Sequence, residues 1–134
     1  MLAYLDTSAL IALAAASDKN HAAAVSHLRK ALRTGTRFAL GRPVLVEYLD
    51  GLTKRISKAE AIRQLEAVES SAVMRVEPDI EEDHRVARDL FLSYDDHAID
   101  MTDSLSFAIM ARLRLRDVFT FDRDFAIHGF ARMP

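Results

Sequence analysis

Apolar residues in this chain fall into two patterns. Short continuous runs occupy residues 3–5, 37–40, 72–76 and 118–121. They are too brief and too uniformly apolar for half-exposed hairpin strands, which would alternate, and they predict central strands of a parallel sheet. Between the runs the apolar positions recur every three or four residues, the period of a helix face. HAAAVSHLRKALR sets Ala22, Val25, Leu28 and Leu32 on one side, and PVLVEYLDGL does the same with Val44, Tyr48 and Leu52. Further helices are predicted over 57–69 and 79–94. The segment SLSFAIMARL is apolar nearly all round from 105 to 111, so it reads as a helix covered on most sides and packed against the sheet.

Strands alternating with helices predict an α/β sandwich with a mostly parallel sheet, because right-handed crossovers place helices on both faces. In such sheets ligands bind outside the carboxyl ends of the strands. No repeat, low-complexity tract or Pro/Gly-rich linker interrupts the 134 residues, which read as a single domain, 1–134, large enough to bury about two-thirds of its unfolded surface.

Composition narrows the chemistry. The chain has no cysteine, which excludes disulfides, zinc–thiolate sites and a thiol nucleophile and fits a reducing, cytoplasmic setting. The longest apolar stretch, 9–16, is about half of what a membrane span needs, and the N-terminus has neither a basic region nor a cleavage site. A soluble, unprocessed chain is therefore expected. Net charge is −2, from 18 basic and 20 acidic residues, which argues against a phosphate-rich partner unless several of the acids are gathered and neutralised.

Four acids stand out by position. Asp6 ends the first apolar run and Asp122 the last, so both belong at carboxyl ends of strands. Asp103, in MTDSLSF, lies at the start of the buried helix, and Glu47, in VLVEYL, lies in the first turns of the helix that begins near Pro43. Each also has a structural reading. Aspartate is among the best N-caps, worth about 1 kcal/mol, which would account for Asp6 and Asp103. Glu47 sits about 130° from the centre of its helix's apolar stripe, a solvent-facing angle. Asp122 can be a partnered loop acid, and Asp124 a helix cap or an acid supporting its neighbours. Together the four mean more, because carboxylates a few ångströms apart repel by about 4 kcal/mol per pair at an effective dielectric of 20. A divalent cation would compensate, and an oxygen-only donor set favours Mg2+ or Mn2+ over zinc.

The remaining polar residues fill in that picture. Thr7, Ser8, Thr102 and Ser104 read as helix caps or as holders of metal-bound water, the second role fitting Ser8 and Thr102. His21, His27, His84, His97 and His128 show no ligand spacing. Setting the four acids aside leaves 18 basic against 16 acidic residues, so the rest of the surface can attract a phosphate backbone. Arg42, Lys54, Arg55, Arg123 and the run Arg112, Arg114, Arg116 are the candidate contacts.

These motifs resemble the PIN domains, and among them the VapC-type toxin ribonucleases of toxin–antitoxin pairs. The signature is LDTSALIAL, VLVEYL, MTDSLSFAIMA and FTFDRDF, in that order along essentially the whole chain. The resemblance implies a three-layer α/β/α sandwich and an Mg2+- or Mn2+-dependent ribonuclease. It implies that Asp6, Glu47, Asp103 and Asp122 bind the metal, with Asp6 and Asp103 foremost. It also implies a homodimer and a small antitoxin whose tail covers the acidic cleft. The alternatives are a PIN nuclease of RNA processing or of DNA, and a non-catalytic PIN-like binding module. An aspartyl phosphatase would need a second Asp at position 8, which is Ser, and a receiver-type switch lacks its adjacent acid pair and late lysine.

Overall fold

The computed structural model describes residues 1–94 and 99–134; His97 lies outside the described residues. The elements run β1 (Leu2–Leu5), α1 (Thr7–Ala14), α2 (His21–Arg33), β2 (Arg37–Gly41), α3 (Arg42–Arg55), α4 (Lys58–Glu69), β3 (Met74–Glu77), α5 (Glu81–Ser93), α6 (Met101–Arg112), β4 (Asp117–Phe119), α7 (Asp124–Ile127) and β5 (Ala131–Met133). The strands form one sheet in the order β3-β2-β1-β4-β5, and every pairing is parallel.

That order fixes where a ligand can enter. The chain winds outward one way through β1, β2 and β3, then returns across the sheet to lay β4 on the other side of β1. The crossovers diverge between β1 and β4, so a crevice opens there at the strands' carboxyl ends. Asp6 follows β1 directly, and Asp122 lies just past β4, which ends at Phe119 rather than at 121. Tyr4 pairs with Val118 and Leu5 with Phe119, and the Asp6 amide still donates to the Phe119 carbonyl at 3.1 Å.

Both faces of the sheet are covered, as a parallel sheet requires. On one face the His27 ring of α2 meets the Phe119 ring edge to face, with centroids 4.7 Å apart. On the other the Tyr4 hydroxyl meets Ser106 of α6. Seven consecutive residues of α6, Ser104 to Met110, are buried, in agreement with its all-round apolar sequence.

Helix starts follow local chemistry. Asp6 caps α1 by accepting the Ser8 N–H, Ser57 caps α4 by accepting the Glu60 N–H, and Pro43 falls in the first turn of α3, where its missing N–H costs nothing.

The structure departs from the sequence reading in four places. The run 72–76 forms β3, an edge strand with half-buried residues rather than a central one; it reads as apolar because one side rests on α3 and α4. The C-terminal strand β5 carries no apolar run, only Ala-Arg-Met, and pairs on one side alone. In α2 the buried residues are Ala24 and Ala31, while Ala22 and Leu32 are exposed: the helix rests on a narrow seam of small residues instead of the broad stripe its leucines suggested. Finally, α6 is capped by Asp100, and Asp103 stands in its first turn, closing a capping box with the Asp100 amide at 3.4 Å.

Candidate metal centre

Asp6, Glu47, Asp100, Asp103 and Asp122 line one cleft of about 490 Å³, together with Thr7, Ser8, Asp18 and Arg55. The acids reach it from β1, α3, the start of α6 and the end of β4. The tightest grouping is Asp103, Asp122 and Asp124, which offer three carboxylate oxygens within 4.8 Å of one another. Asp6 faces the same cleft but is more deeply set, 6% exposed. The sequence reading passed over Asp100 and gave Asp124 a supporting part. The signal for Asp100 was present in D-x-x-D, a capping box that puts two carboxylates on one helix turn.

One oxygen of Asp6 is fully used by the protein. Its Oδ2 accepts the Ser8 hydroxyl at 2.8 Å, the Thr120 hydroxyl at 2.9 Å and the Ser8 N–H at 3.3 Å. Each hydroxyl has one proton to give, so the 3.1 Å approach of Ser8 Oγ to Thr120 Oγ1 carries none once both donate to Asp6. The same hydroxyls accept from the next backbone segment: Phe121 N–H donates to Ser8 at 3.0 Å and Asp122 N–H to Thr120 at 3.0 Å. Asp122 Oδ1 in turn accepts the Asp124 N–H at 2.9 Å. The network presets the rotamers of Asp6 and Asp122, both of which line the cleft.

Below the acids, the Tyr4 hydroxyl joins three elements. It donates to Ser106 Oγ on α6 at 3.0 Å and accepts the Gly41 N–H, at the cap of α3, at 3.1 Å. A Cβ on Gly41 would lie 2.6 Å from that hydroxyl and 2.9 Å from Ile109 Cδ1, so only glycine fits. β1, α3 and α6 carry Asp6, Glu47 and Asp103 respectively, and Tyr4 pins them beneath the cleft floor.

The electrostatics are those of an uncompensated acid cluster. Burial, reinforced by the charges of Asp100, Asp6 and Asp122, pushes the Asp103 carboxyl up to about 8. Burial also raises Asp6, against the hydrogen bonds of Ser8 and Thr120. It raises Glu47 too, with the charges of Asp100 and Asp6 added and the Thr7 and Thr102 hydroxyls opposing. Among the described residues no lysine or arginine forms an ion pair with any of these acids. The Thr7 Oγ1 atom is buried there without a hydrogen bond of ordinary geometry. Hard carboxylate oxygens gathered in this way suit a divalent cation.

Beside the acids a second cleft, of about 710 Å³, is lined by Arg42, Lys54 and Arg55 as well as Glu47 and Thr102. Three of the expected cationic contacts thus adjoin the acidic site. Arg112 does not: its guanidinium holds Asp83 at 2.9 Å and Glu77 at 3.2 Å and donates to the Pro78 carbonyl, tying α6 to α5 and β3. Histidines at 21, 27, 84 and 128 contact the Ala12 carbonyl, Phe119, Asp79 and Tyr94 respectively, away from the acids.

Known proteins share this architecture. VapC20 of Mycobacterium tuberculosis, a sarcin–ricin loop cleaving toxin, matches 98% of this chain over 97% of its own at 25% identity and a TM-score of 0.85. VapBC2 from Rickettsia felis, crystallised on a promoter DNA fragment, matches 99% over 98% at 15% identity and a TM-score of 0.73. FitAcB from Neisseria gonorrhoeae matches 100% over 97% at 17% identity and a TM-score of 0.70. A sequence comparison with curated proteins gives no match. The PIN domain family profile matches residues 3–131, and on that match the chain belongs to the PIN domain family.

Proposed function

We propose that this protein is a divalent-cation-dependent endoribonuclease, the toxin of a toxin–antitoxin pair acting in the cytoplasm. The observation that carries the reading is the convergence of carboxylates from the ends of β1 and β4 and from α3 and α6 on one cleft, where among the described residues none of them forms an ion pair with a lysine or arginine, Arg55 in the cleft wall included. A fold does not collect unpaired acids at a topological switch point without a cation to bind there. The likeness to a sarcin–ricin loop cleaving toxin at 25% identity supports the choice of RNA.

In this mechanism Asp103, Asp122, Asp124 and Asp6 would hold the cation, and Glu47 would complete a second position. Bound there, Mg2+ or Mn2+ would supply a Lewis acid able to acidify a water and stabilise negative charge on the phosphate. Ser8 and Thr120 keep Asp6 in its binding rotamer. Glu47, in the wall of the same cleft, orients the attacking water. Arg42, Lys54 and Arg55 bind the flanking phosphates and keep the strand along the cleft.

The partner is an antitoxin: the architecture is shared with VapBC-1 of nontypeable Haemophilus influenzae and with a toxin–antitoxin complex from Klebsiella pneumoniae. The reading includes a homodimer, and the exposed Phe91 and Leu92 of α5 supply apolar surface for such a contact. Among the described residues no helix is long and apolar enough to cross a membrane.

The test is RNA cleavage by wild type, Asp6→Asn and Asp103→Asn with Mg2+ or Mn2+. The two variants are expected to lose at least two orders of magnitude in rate, and EDTA is expected to stop the wild type without unfolding it. Wild-type activity in both variants would sink the proposal.

A further inference from the structure

Three cavities meet at one point on α3. The acidic cleft, the larger cleft beside it, whose wall mixes Arg42, Lys54 and Arg55 with Glu47, Asp50 and Asp79, and a smaller pocket of about 130 Å³ all have Gly51 and Arg55 in their walls. Gly51 lies inside the helix Arg42–Arg55, where glycine costs about 1 kcal/mol relative to alanine. Neither the backbone nor the packing asks for it. Its φ is not positive, and the nearest atom a Cβ would meet is Ile11 Cδ1 at 3.4 Å, which a flexible side-chain tip can accommodate. What the missing side chain does is leave the junction of the three cavities open.

The small pocket combines apolar and hydrogen-bonding walls. Ile11, Leu52 and Ile56 give it apolar walls, while Ser17, Asp18 and Arg55 give it hydrogen-bonding groups. Ile11, Asp18 and Arg55 also line the acidic cleft, so the pocket opens directly from the site. The Asp18 carboxylate is held in place by accepting the Asn20 N–H at 2.8 Å. A drug-sized ligand needs about 300 Å³ or more; this pocket has room for a single planar ring system.

Unpaired RNA bases stack on aromatic rings or guanidinium planes and are read along their Watson–Crick edge; here the one such plane in the lining is the Arg55 guanidinium. An ionised carboxylate only accepts hydrogen bonds. Guanine, with N1–H beside N2–H2, is the base that presents two adjacent donors on that edge. We propose that the pocket receives one unpaired guanine of the RNA strand being cut, with Asp18 reading its Watson–Crick edge, Arg55 lying against ring or phosphate, and Gly51 keeping the entrance open. This rests on the ribonuclease reading above.

The experiment is digestion of a pool of RNA hairpins and single strands with randomised loop positions, in Mn2+, followed by sequencing of the cut ends. Wild type should show guanine enriched at one fixed offset from the cut phosphate. Asp18→Asn should still cut, with the guanine preference reduced on the order of tenfold, the worth of a good bidentate base contact. Gly51→Ala should melt no lower than wild type, and Gly51→Leu, checked for folding in the same way, should lose the preference by filling the entrance. An absence of base preference in the wild type, or an unchanged preference in both Asp18→Asn and Gly51→Leu, would overturn the inference. If the wild type cuts no RNA in the pool with Mn2+ or Mg2+, the ribonuclease reading falls and this inference with it.

Discussion

Replacing Asp103 by Asn should make the metal-free protein more stable. The Asp103 carboxyl is pushed up to about 8 in the folded chain by burial and by the charges of Asp100, Asp6 and Asp122, against about 3.9 in an unfolded chain. Between those values the folded state holds a proton that the unfolded state has released, so stability falls as pH rises from about 4 to 8. At pH 8 the carboxylate lies within 4.8 Å of Asp122 and Asp124, where a pair of charges repels by about 3 kcal/mol at an effective dielectric of 20. Partial exposure to solvent reduces what one neutral amide recovers to about 2 kcal/mol. For a chain of 134 residues that is roughly 7 °C in Tm. Asn keeps an oxygen for the Asp100 N–H, so the capping box survives. The assay is thermal melting of both proteins in EDTA and in Mn2+ across that pH range. In EDTA the variant should melt higher, by a margin that grows with pH, and Mn2+ should raise wild type much more than the variant. A variant that melts at or below wild type in EDTA at pH 8, or equal Mn2+ stabilisation of the two, would refute the reasoning.

Other perturbations probe the frame around the cluster. Arg112→Ala strands Asp83, whose side chain is 1% exposed, and should cost about 3–5 kcal/mol in denaturant unfolding. Burial works to raise Asp83, but the Arg112 hydrogen bonds, the Ile80 N–H and nearby positive charge bring it below the usual carboxylate range. The stability it contributes is therefore present above about pH 4 and lost as pH falls below that, so wild type and Arg112→Ala should converge in acid unfolding. Gly41→Ala forces a Cβ to 2.6 Å from the Tyr4 hydroxyl and should cost about 1–3 kcal/mol. Tyr4→Phe leaves the Gly41 N–H and the Ser106 hydroxyl without their partner, also costing about 1–3 kcal/mol. The double variant should lose less than the sum, read from a double-mutant cycle. Thr120→Val removes a donor from Asp6 and an acceptor from the Asp122 N–H; it should weaken Mn2+ binding, measured calorimetrically, about tenfold.

Much of the fold was legible because a parallel sheet buries both faces of its inner strands. The apolar runs at β1, β2 and β4 have no other place to go, and α6, apolar on every side, had to be covered. The run at β3 was also visible as a strand, though not as an edge one; β5 escaped because an edge strand is paired on one side only and needs no apolar run, and Ala-Arg-Met contains nothing to see. The acids were legible one by one as strand ends and helix starts, and their convergence needed only β1 beside β4. Glu47 pointed to solvent by helical angle, and its solvent-facing side turns out to be a wall of the cleft. Asp100 was hidden by its neighbour, since Asp103 satisfied the expectation of a cap that Asp100 fulfils. Arg112 looked like one of a row of surface arginines because its partners, Asp83 and Glu77, are about thirty residues away in the chain.

The Tyr4 hydroxyl bears on what happens before any cation arrives. Carboxylates that repel one another would spread if their helices were held by apolar contact alone, and each binding event would then have to gather them again. Burial keeps the Tyr4 phenol neutral far above physiological pH, so its two hydrogen bonds persist whatever the ionisation of the acids above it. The three elements that carry Asp6, Glu47 and Asp103 are thus held together by bonds that the titration of those acids does not touch.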